Sequence, residues 1–184
     1  PRGTSFAFSF VWRRKSWQDG RVNKKILRNY LEITSLKDFR GSFYNSDKYI
    51  VEIVNPVDFQ LNKFFYKNIG KNHNWVDRLV WTEKQWIEYV SNTKVETYVL
   101  KAKGEFAGYF ELILHFEANE IEIAYLGLLA EYQNKKLGSF ILSAAIKNSF
   151  LKKPKRVWVH TCSLDHKNAL NNYISRGMKV FKTE

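Results

Sequence analysis

Hydrophobic and polar positions alternate or recur in a sequence of short blocks. Asn29 to Thr34 and Tyr49 to Val54 alternate with period two and read as strands, the second closed by Asn55-Pro56. Val57, Leu61, Phe64, Phe65 and Ile69 fall at helical spacing and stop at Gly70. Thr82 with Gln85 three positions on is a capping-box start for a short helix through Val90. Val95 to Lys101 and Phe106 to Phe116 are strands joined by the Lys103-Gly104 hairpin turn. Glu120 to Leu129 alternates again. Leu137 to Leu151 is a helix with Phe140, Ile141, Ala144 and Ala145 on one face, stopped by Lys152-Lys153-Pro154. Arg156 to Leu164 is a strand. Asp165 is placed to cap a helix carrying Ala169, Leu170, Tyr173 and Ile174, ended by Gly177, and Met178 to Lys182 is a last strand. The order β-β-α-α-β-β-β-α-β-α-β predicts one mixed α/β (α+β) domain, with a central, mostly antiparallel sheet flanked by helices.

Composition bounds the reading. The chain has 184 residues, enough for one substantial core, with 45% hydrophobic and 26% charged residues. One cysteine, Cys162, excludes an intramolecular disulfide framework and a cysteine-rich zinc site. The four histidines, His73, His115, His160 and His166, lack metal-ligand spacing, so no metal is expected; His115 and His160 read as strand residues. The net charge of +12 invites a nucleic-acid or membrane-surface reading. More than half of it is local: residues 1–28 hold eight bases against Asp19, or +7, and the other 156 residues contribute +5. The chain therefore divides into a basic extension, 1–28, expected to be poorly ordered, and a domain, 29–184. No run approaches 18 apolar residues, so no membrane helix is predicted, and the default placement is cytoplasmic.

The segment Leu126 to Ser139 takes a strand through a short polar loop into a helix N-terminus. Unpaired N–H groups and the helix dipole at such a junction form an anion site. Gly138 leaves room for a phosphate to approach the backbone, Ser139 adds a hydroxyl, and Lys135 and Lys136 add charge. Neither a Walker motif nor G-x-G-x-x-G is present. An ordinary solvated turn with surface lysines accounts for the same residues.

Gln133-Asn-Lys-Lys-Leu-Gly138 resembles the acetyl-CoA loop of the GNAT N-acetyltransferase superfamily, Q/R-x-x-G-x-G/A. It keeps the Gln and the last Gly and has Lys136 at the middle Gly. A second segment is similar to the GNAT ending: the strand Val157 to Cys162, the helix Ala169-Leu-Asn-Asn-Tyr173, and Arg176-Gly177-Met178. Here Met178 replaces the usual Phe, and His166 stands where many members carry Asn. The segments Asn74 to Arg78, Glu122 to Leu128 and Trp158 to His166 look like one bacterial subgroup.

The resemblance implies acetyl transfer from acetyl-CoA, as cosubstrate, to a primary amine by direct attack in a ternary complex. The acceptor would be a small molecule or a protein, and the enzyme a monomer or homodimer. The chemistry needs a base for the ammonium, a donor for the thioester oxygen and an acid for the thiolate. By placement Glu122 is the expected base, with Glu111 second, and alternation would put Glu122, Ala124 and Leu126 on one face and Ile121, Ile123 and Tyr125 on the other. Tyr173 is the expected acid. Backbone groups of Leu126 and Leu128 would pair with pantetheine amides, and those of Gln133, Asn134, Lys135, Lys136, Leu137, Gly138 and Ser139 would hold the diphosphate, with His166 beside the pantetheine. Gly127 fits either a bulge or a tight packing contact. On the acceptor side Trp75 could stack, Asp77 could hold an ammonium and Arg78 a carboxylate, with Glu111 nearby. Plain structural roles remain open for Glu122, Tyr173 and the Asn74–Arg78 segment. Two other functions compete: a nucleic-acid module using the aromatic, basic stretch Phe6 to Arg28, and a GNAT fold that senses acyl-CoA without turnover.

Overall fold

A computed structural model describes residues 26–44 and 47–184 of the chain. Its elements follow local chemistry closely. Helix α1, Phe59–Gly70, starts where the Asp58 carboxylate accepts from the N–H groups of Gln60 and Leu61. Its last residue is Gly70, whose missing Cβ lets the chain return close by: a Cβ there would fall 2.5 Å from the Cβ of Trp75. Helix α2, Glu83–Val90, carries the full capping box between Thr82 and Gln85. Strands β3, Val95–Ala102, and β4, Glu105–His115, meet at Lys103 and Gly104, both with positive φ, as the tight hairpin turn requires.

The remaining strands are β1, Arg28–Ile33; β2, Tyr49–Ile53; β5, Glu120–Leu128; β6, Arg156–Cys162; and β7, Lys179–Thr183. Together they form one seven-stranded sheet in the order β2-β3-β4-β5-β6-β1-β7. Among the described residues only β5 and β6 pair in parallel. The mixed, mostly antiparallel sheet flanked by helices is the expected fold class. The position of β1 is not expected from sequence: the first strand lies between β6 and β7 at the far end. Leu31 and Ile33 explain it, since both are buried in the main core on that side.

Helix α3, Leu137–Phe150, packs on one face of the sheet, with Leu137, Ile141, Leu142, Ala145 and Ile146 all within 1% of full burial. The predicted one-sided apolar stripe is in fact a helix buried nearly all round. Phe43 and Tyr44 reach its Phe140 from the segment between β1 and β2. Helices α1 and α2 cover the opposite face over β3–β5, where Phe65 stacks on Tyr109 at 4.9 Å and Ile69 joins Val99 and Leu129.

Helix α4, Ala169–Ser175, does not begin on an Asp165 cap. The Asp165 carboxylate instead accepts from the Thr161 hydroxyl and the Cys162 N–H, which turns the chain at the end of β6. Gly177 leaves α4 at φ 98°, with the Asp38 carbonyl in the space a Cβ would take. The boundary at residue 29 falls one residue late, since Arg28 already belongs to β1. The rest of the basic extension lies outside the described residues, apart from Ile26 and Leu27.

Candidate active site

Strands β5 and β6 pair only from Glu120 with Arg156 to Glu122 with Trp158. Beyond that point β6 continues with β1, pairing Val159 with Leu31 and His160 with Tyr30, while β5 continues with β4. The facing edges of the two strands separate and leave a cleft of about 520 Å³, a usual size for a small-molecule site. The edge of β5 from Ile123 to Leu128 has no strand partner on this side. Its N–H and C=O groups can receive a ligand lying alongside like a partial strand.

A bulge in β5 sets which side chains face where. Glu111 pairs with Tyr125 but Leu112 pairs with Ile123, so Ala124 is the extra residue. This overturns the expected alternation. Ile121 and Ile123 pack under α3, whereas Tyr125 crosses to the other face, edge-on to Trp75 at 4.9 Å. The bulge is at Ala124, not at Gly127. Gly127 pairs regularly with Tyr109, and a Cβ on it would fall 2.5 Å from Ile69 Cγ2, so it is a packing glycine under α1.

The loop after β5 makes a 3-10 turn, Ala130–Tyr132, and then passes through Asn134 and Lys136 at φ 59° and 60°. Lys136 is the N-cap of α3 and supplies no side-chain acceptor to the first turn. The N–H groups of Leu137, Gly138 and Ser139 therefore lack a capping side chain at the cleft. A Cβ on Gly138 would find only Asn172 Nδ2, at 3.9 Å, so the backbone there is open to a close ligand. Asn172 ties α4 to this turn by donating to the Gly138 carbonyl at 3.0 Å. These features fit a diphosphate.

The sequence-derived site residues fall into groups. Leu126, Leu128, Gln133, Asn134, Gly138 and Ser139 line the cleft. Gln133 donates back to the Leu128 carbonyl at 3.4 Å. The Ser139 hydroxyl is engaged, donating to the Lys136 carbonyl at 2.8 Å, so it is not the free donor expected. Lys135, Lys136 and Leu137 are not in the lining: Lys135 lies over the Tyr132 ring and Leu137 is buried in the core. His166 lines the opposite wall, where its Nδ1 accepts from the Asn168 N–H and its ring meets His73 at 6.2 Å. Tyr173 lines the same wall from α4. Its hydroxyl has no hydrogen-bond partner among the described residues, and burial raises its pKa.

On the acceptor side Trp75 and Asp77 line the cleft. Burial pushes the Asp77 carboxyl up, opposed by the neighbouring Arg78. Arg78 and Glu111 need correction as substrate contacts. Both are buried, at 3% and 0% exposure, and they bond to each other at 2.8 Å. Glu111 also accepts from Asn62 at 2.7 Å and Tyr89 at 2.7 Å. The Arg78 guanidinium lies 4.0 Å from the Tyr89 ring centroid and 4.2 Å from that of Tyr125. Burial opposes its charge, and Glu111 more than restores it, so its pKa is raised. Neither side chain is free to hold an acceptor, and the pair braces the sheet beneath α1 and α2.

Glu122 lies just behind the cleft, at the last paired position, and outside its lining. Its carboxylate is 3.0 Å from His115 Nε2, whose ring stacks on Trp158. Sequence reasoning passed over His160. It lines the cleft from β6 and its pKa is lowered by burial, against the raising charge of Glu122. Its place at the first outward position past the β5–β6 pairing follows from a register that the sequence does not display.

A parallel strand pair opening into a cleft, with an uncapped helix N-terminus at its edge, defines the acyl-CoA N-acyltransferase class of fold. The chain belongs to the acetyltransferase (GNAT) family, whose pattern it matches over residues 59–178. Solved structures agree on the fold. A GCN5-related N-acetyltransferase from Sphaerobacter thermophilus superposes with TM-score 0.65 at 12% identity, over 86% of this chain and 49% of that one. An aminoglycoside acetyltransferase, meta-AAC0020 from an uncultured soil metagenomic sample, gives 0.59 at 13% identity, over 71% and 88%. The ribosomal-protein-S18-alanine N-acetyltransferase from Escherichia coli gives 0.55 at 15% identity, over 70% and 76%. Against the structures from Staphylococcus epidermidis, Kribbella flavida and Sphaerobacter thermophilus, the chain spans only 60%, 55% and 49% of their lengths. No curated protein sequence matches it.

Among the described residues no helix is long and apolar enough to cross a membrane. No group of three His, Cys, Asp or Glu side chains among them could hold a metal ion.

Proposed function

We propose that the protein is an N-acetyltransferase that moves the acetyl group of acetyl-CoA to a primary amine by direct attack in a ternary complex. The observation that carries this reading is the β5–β6 cleft running into the uncapped N-terminus of α3. The unpaired edge of β5 at Leu126 and Leu128 would take the pantetheine amides. The first-turn N–H groups at Leu137, Gly138 and Ser139 would take the diphosphate, with the positive end of the helix dipole behind them. Lys135 and Lys136 would act as outer positive charges.

Tyr173 would be the acid for the departing sulfur. A phenol whose pKa is raised by burial stays protonated until the sulfur departs beside it, and it is placed to give its proton to the developing thiolate as the C–S bond breaks. Trp75 and Asp77 would form the acceptor wall. Proteins of similar fold include an aminoglycoside acetyltransferase and a ribosomal-protein-S18-alanine N-acetyltransferase, so both amine types belong in the acceptor panel.

The test is release of free thiol from acetyl-CoA with aminoglycosides, polyamines and alanine-terminated peptides. Amine-dependent release is expected. Tyr173→Phe should lower kcat by about 10²-fold or more, with acetyl-CoA affinity held within about 3-fold. Tight acetyl-CoA binding with no release for any amine would favour the sensor reading instead. The nucleic-acid reading falls on Phe6 to Arg28, almost wholly outside the described residues.

A further inference from the structure

We infer that His160 is the catalytic base of this reaction, taking the proton from the acceptor ammonium at a ring nitrogen. The inference rests on the acetyltransferase reading above. Its ground is position. Trp158 is the last β6 residue paired with β5, and His160, two residues on, is the first on the same face where the strands stand apart. It lines the cleft together with Leu126 and Tyr173. Glu122 is paired one step earlier, with its carboxylate already taken by His115.

Three features suit the imidazole to the task. Tyr30, opposite on β1, packs its ring against that of His160 at 5.8 Å and restrains its orientation. No hydrogen bond from another described residue occupies either ring nitrogen, so the lone pair of the neutral ring is not already engaged, and the residue lines the cleft. Burial, against the net effect of the surrounding charges, favours a base that is neutral before the reaction. Burial lowers its pKa, Glu122 from β5 raises it, Arg28 from β1 lowers it, and Asp165 and Glu184 raise it, with a net result below the ordinary value. The neutral ring is therefore favoured at pH 7, and the carboxylate of Glu122 stabilises the imidazolium once it forms. Glu122 is on this account a positioning residue.

The steps balance. The ammonium gives one proton to His160, and the amine lone pair forms the C–N bond at the thioester carbon. As the tetrahedral species collapses, the C–S bond breaks and its electron pair leaves on sulfur, which takes the Tyr173 proton. The nitrogen loses its second proton to the Tyr173 oxygen, and His160 releases its own to water at the cleft mouth. The products are the amide, free CoA thiol and one proton.

The experiment compares wild type and His160→Gln in thiol release across pH 5.5 to 8.5, using an amine from the panel that wild type turns over. The variant should lose about 10²- to 10⁴-fold in kcat at pH 7, keep its acetyl-CoA Kd within about 3-fold by calorimetry, and lose the acidic limb of the rate profile. A variant within about 3-fold of wild type that keeps that limb overturns the assignment. Silence of wild type with every amine counts against the acetyltransferase reading itself. The histidine is then judged by its own NMR signal, which also serves if the variant fails to fold. The His160 ring should titrate below pH 6.5 and shift when acetyl-CoA saturates the protein. A ring signal unmoved by saturating acetyl-CoA overturns its placement at the reacting centre.

Discussion

Replacing Glu111 with Gln tests the buried pair beneath the active-site wall. Gln keeps the shape but removes the one carboxylate among the described residues that is bonded to Arg78, which is 3% exposed and ringed by aromatic side chains. Breaking a buried pair by neutralising one partner costs about 3–5 kcal/mol, because the other charge is left without compensation. The aromatic faces over the cation, worth about 2 kcal/mol or more when desolvated, are present before and after the change. They cancel in the difference, so the lower bound of that range, about 3 kcal/mol, is the least cost expected. For a chain of this length that corresponds to a fall in Tm of roughly 6–12 °C. Urea and thermal unfolding followed by tryptophan fluorescence measure it directly, because Trp81 and Trp86 lie against the Arg78 cluster. The double variant Arg78→Met/Glu111→Leu removes both charges and should be more stable than the single one. It remains below wild type by about 2 kcal/mol, as the Asn62 amide and Tyr89 hydroxyl each lose an acceptor worth about 1 kcal/mol. A single variant within about 0.5 kcal/mol of wild type, or a double variant less stable than the single, would refute the reasoning.

Two further outcomes follow from the geometry. Lys136 holds φ 60° at the N-cap of α3, a conformation costing a side-chain-bearing residue about 1–2 kcal/mol. Lys136→Gly relieves it but loosens the unfolded chain, so the unfolding free energy from urea titration should rise by a net of roughly 0.5–1 kcal/mol, and an unchanged value would show that the loop tolerates lysine freely. The pH dependence comes from His73 and His160, both with pKa lowered by burial. The unfolded chain binds their protons more readily than the folded one, so stability is full above the ordinary histidine pKa of about 6.5 and falls as pH drops through it, by at most about 1.4 kcal/mol per pH unit for each proton. Urea midpoints from pH 7.5 to 5.5 should fall in wild type and fall less in His160→Gln. A wild-type midpoint that rises on acidification refutes the sign.

Most of the fold is legible in the sequence because its elements are locally encoded. The Thr82–Gln85 box, the Lys103-Gly104 turn and the blocks of alternating strand residues need no distant partner to be read. The loop Gln133 to Ser139 is legible for the same reason: strand, turn and helix N-terminus are contiguous. What escapes is pairing. Nothing within Arg28–Ile33 says that it enters between β6 and β7, because an alternating strand is compatible with any edge that buries Leu31 and Ile33. The bulge at Ala124 is equally silent, since Ile121 to Leu128 alternates acceptably with or without an extra residue. Missing it misplaces Tyr125 by a face. The same limit explains Arg78 and Glu111. In sequence each is an isolated charge near an aromatic, and only the register of β4 against α1 and α2 turns them into one buried pair.

The bulge also links the buried pair to the chemistry. By moving Tyr125 to the face under α1 and α2, it sets one ring between Arg78, at 4.2 Å, and Trp75, at 4.9 Å. Trp75 and Tyr125 both line the cleft, and Leu126, the next residue, offers its unpaired edge to the pantetheine in the proposed complex. The charge of Arg78 is thus held two ring contacts from the acceptor wall. A loosened pair should widen the place where amine and thioester must meet while leaving the N-terminus of α3 untouched. In Glu111→Gln at temperatures where it remains folded, kcat should therefore fall more than acetyl-CoA affinity. Equal losses in both would mean that the damage spreads through the whole sheet and that Tyr125 transmits nothing in particular.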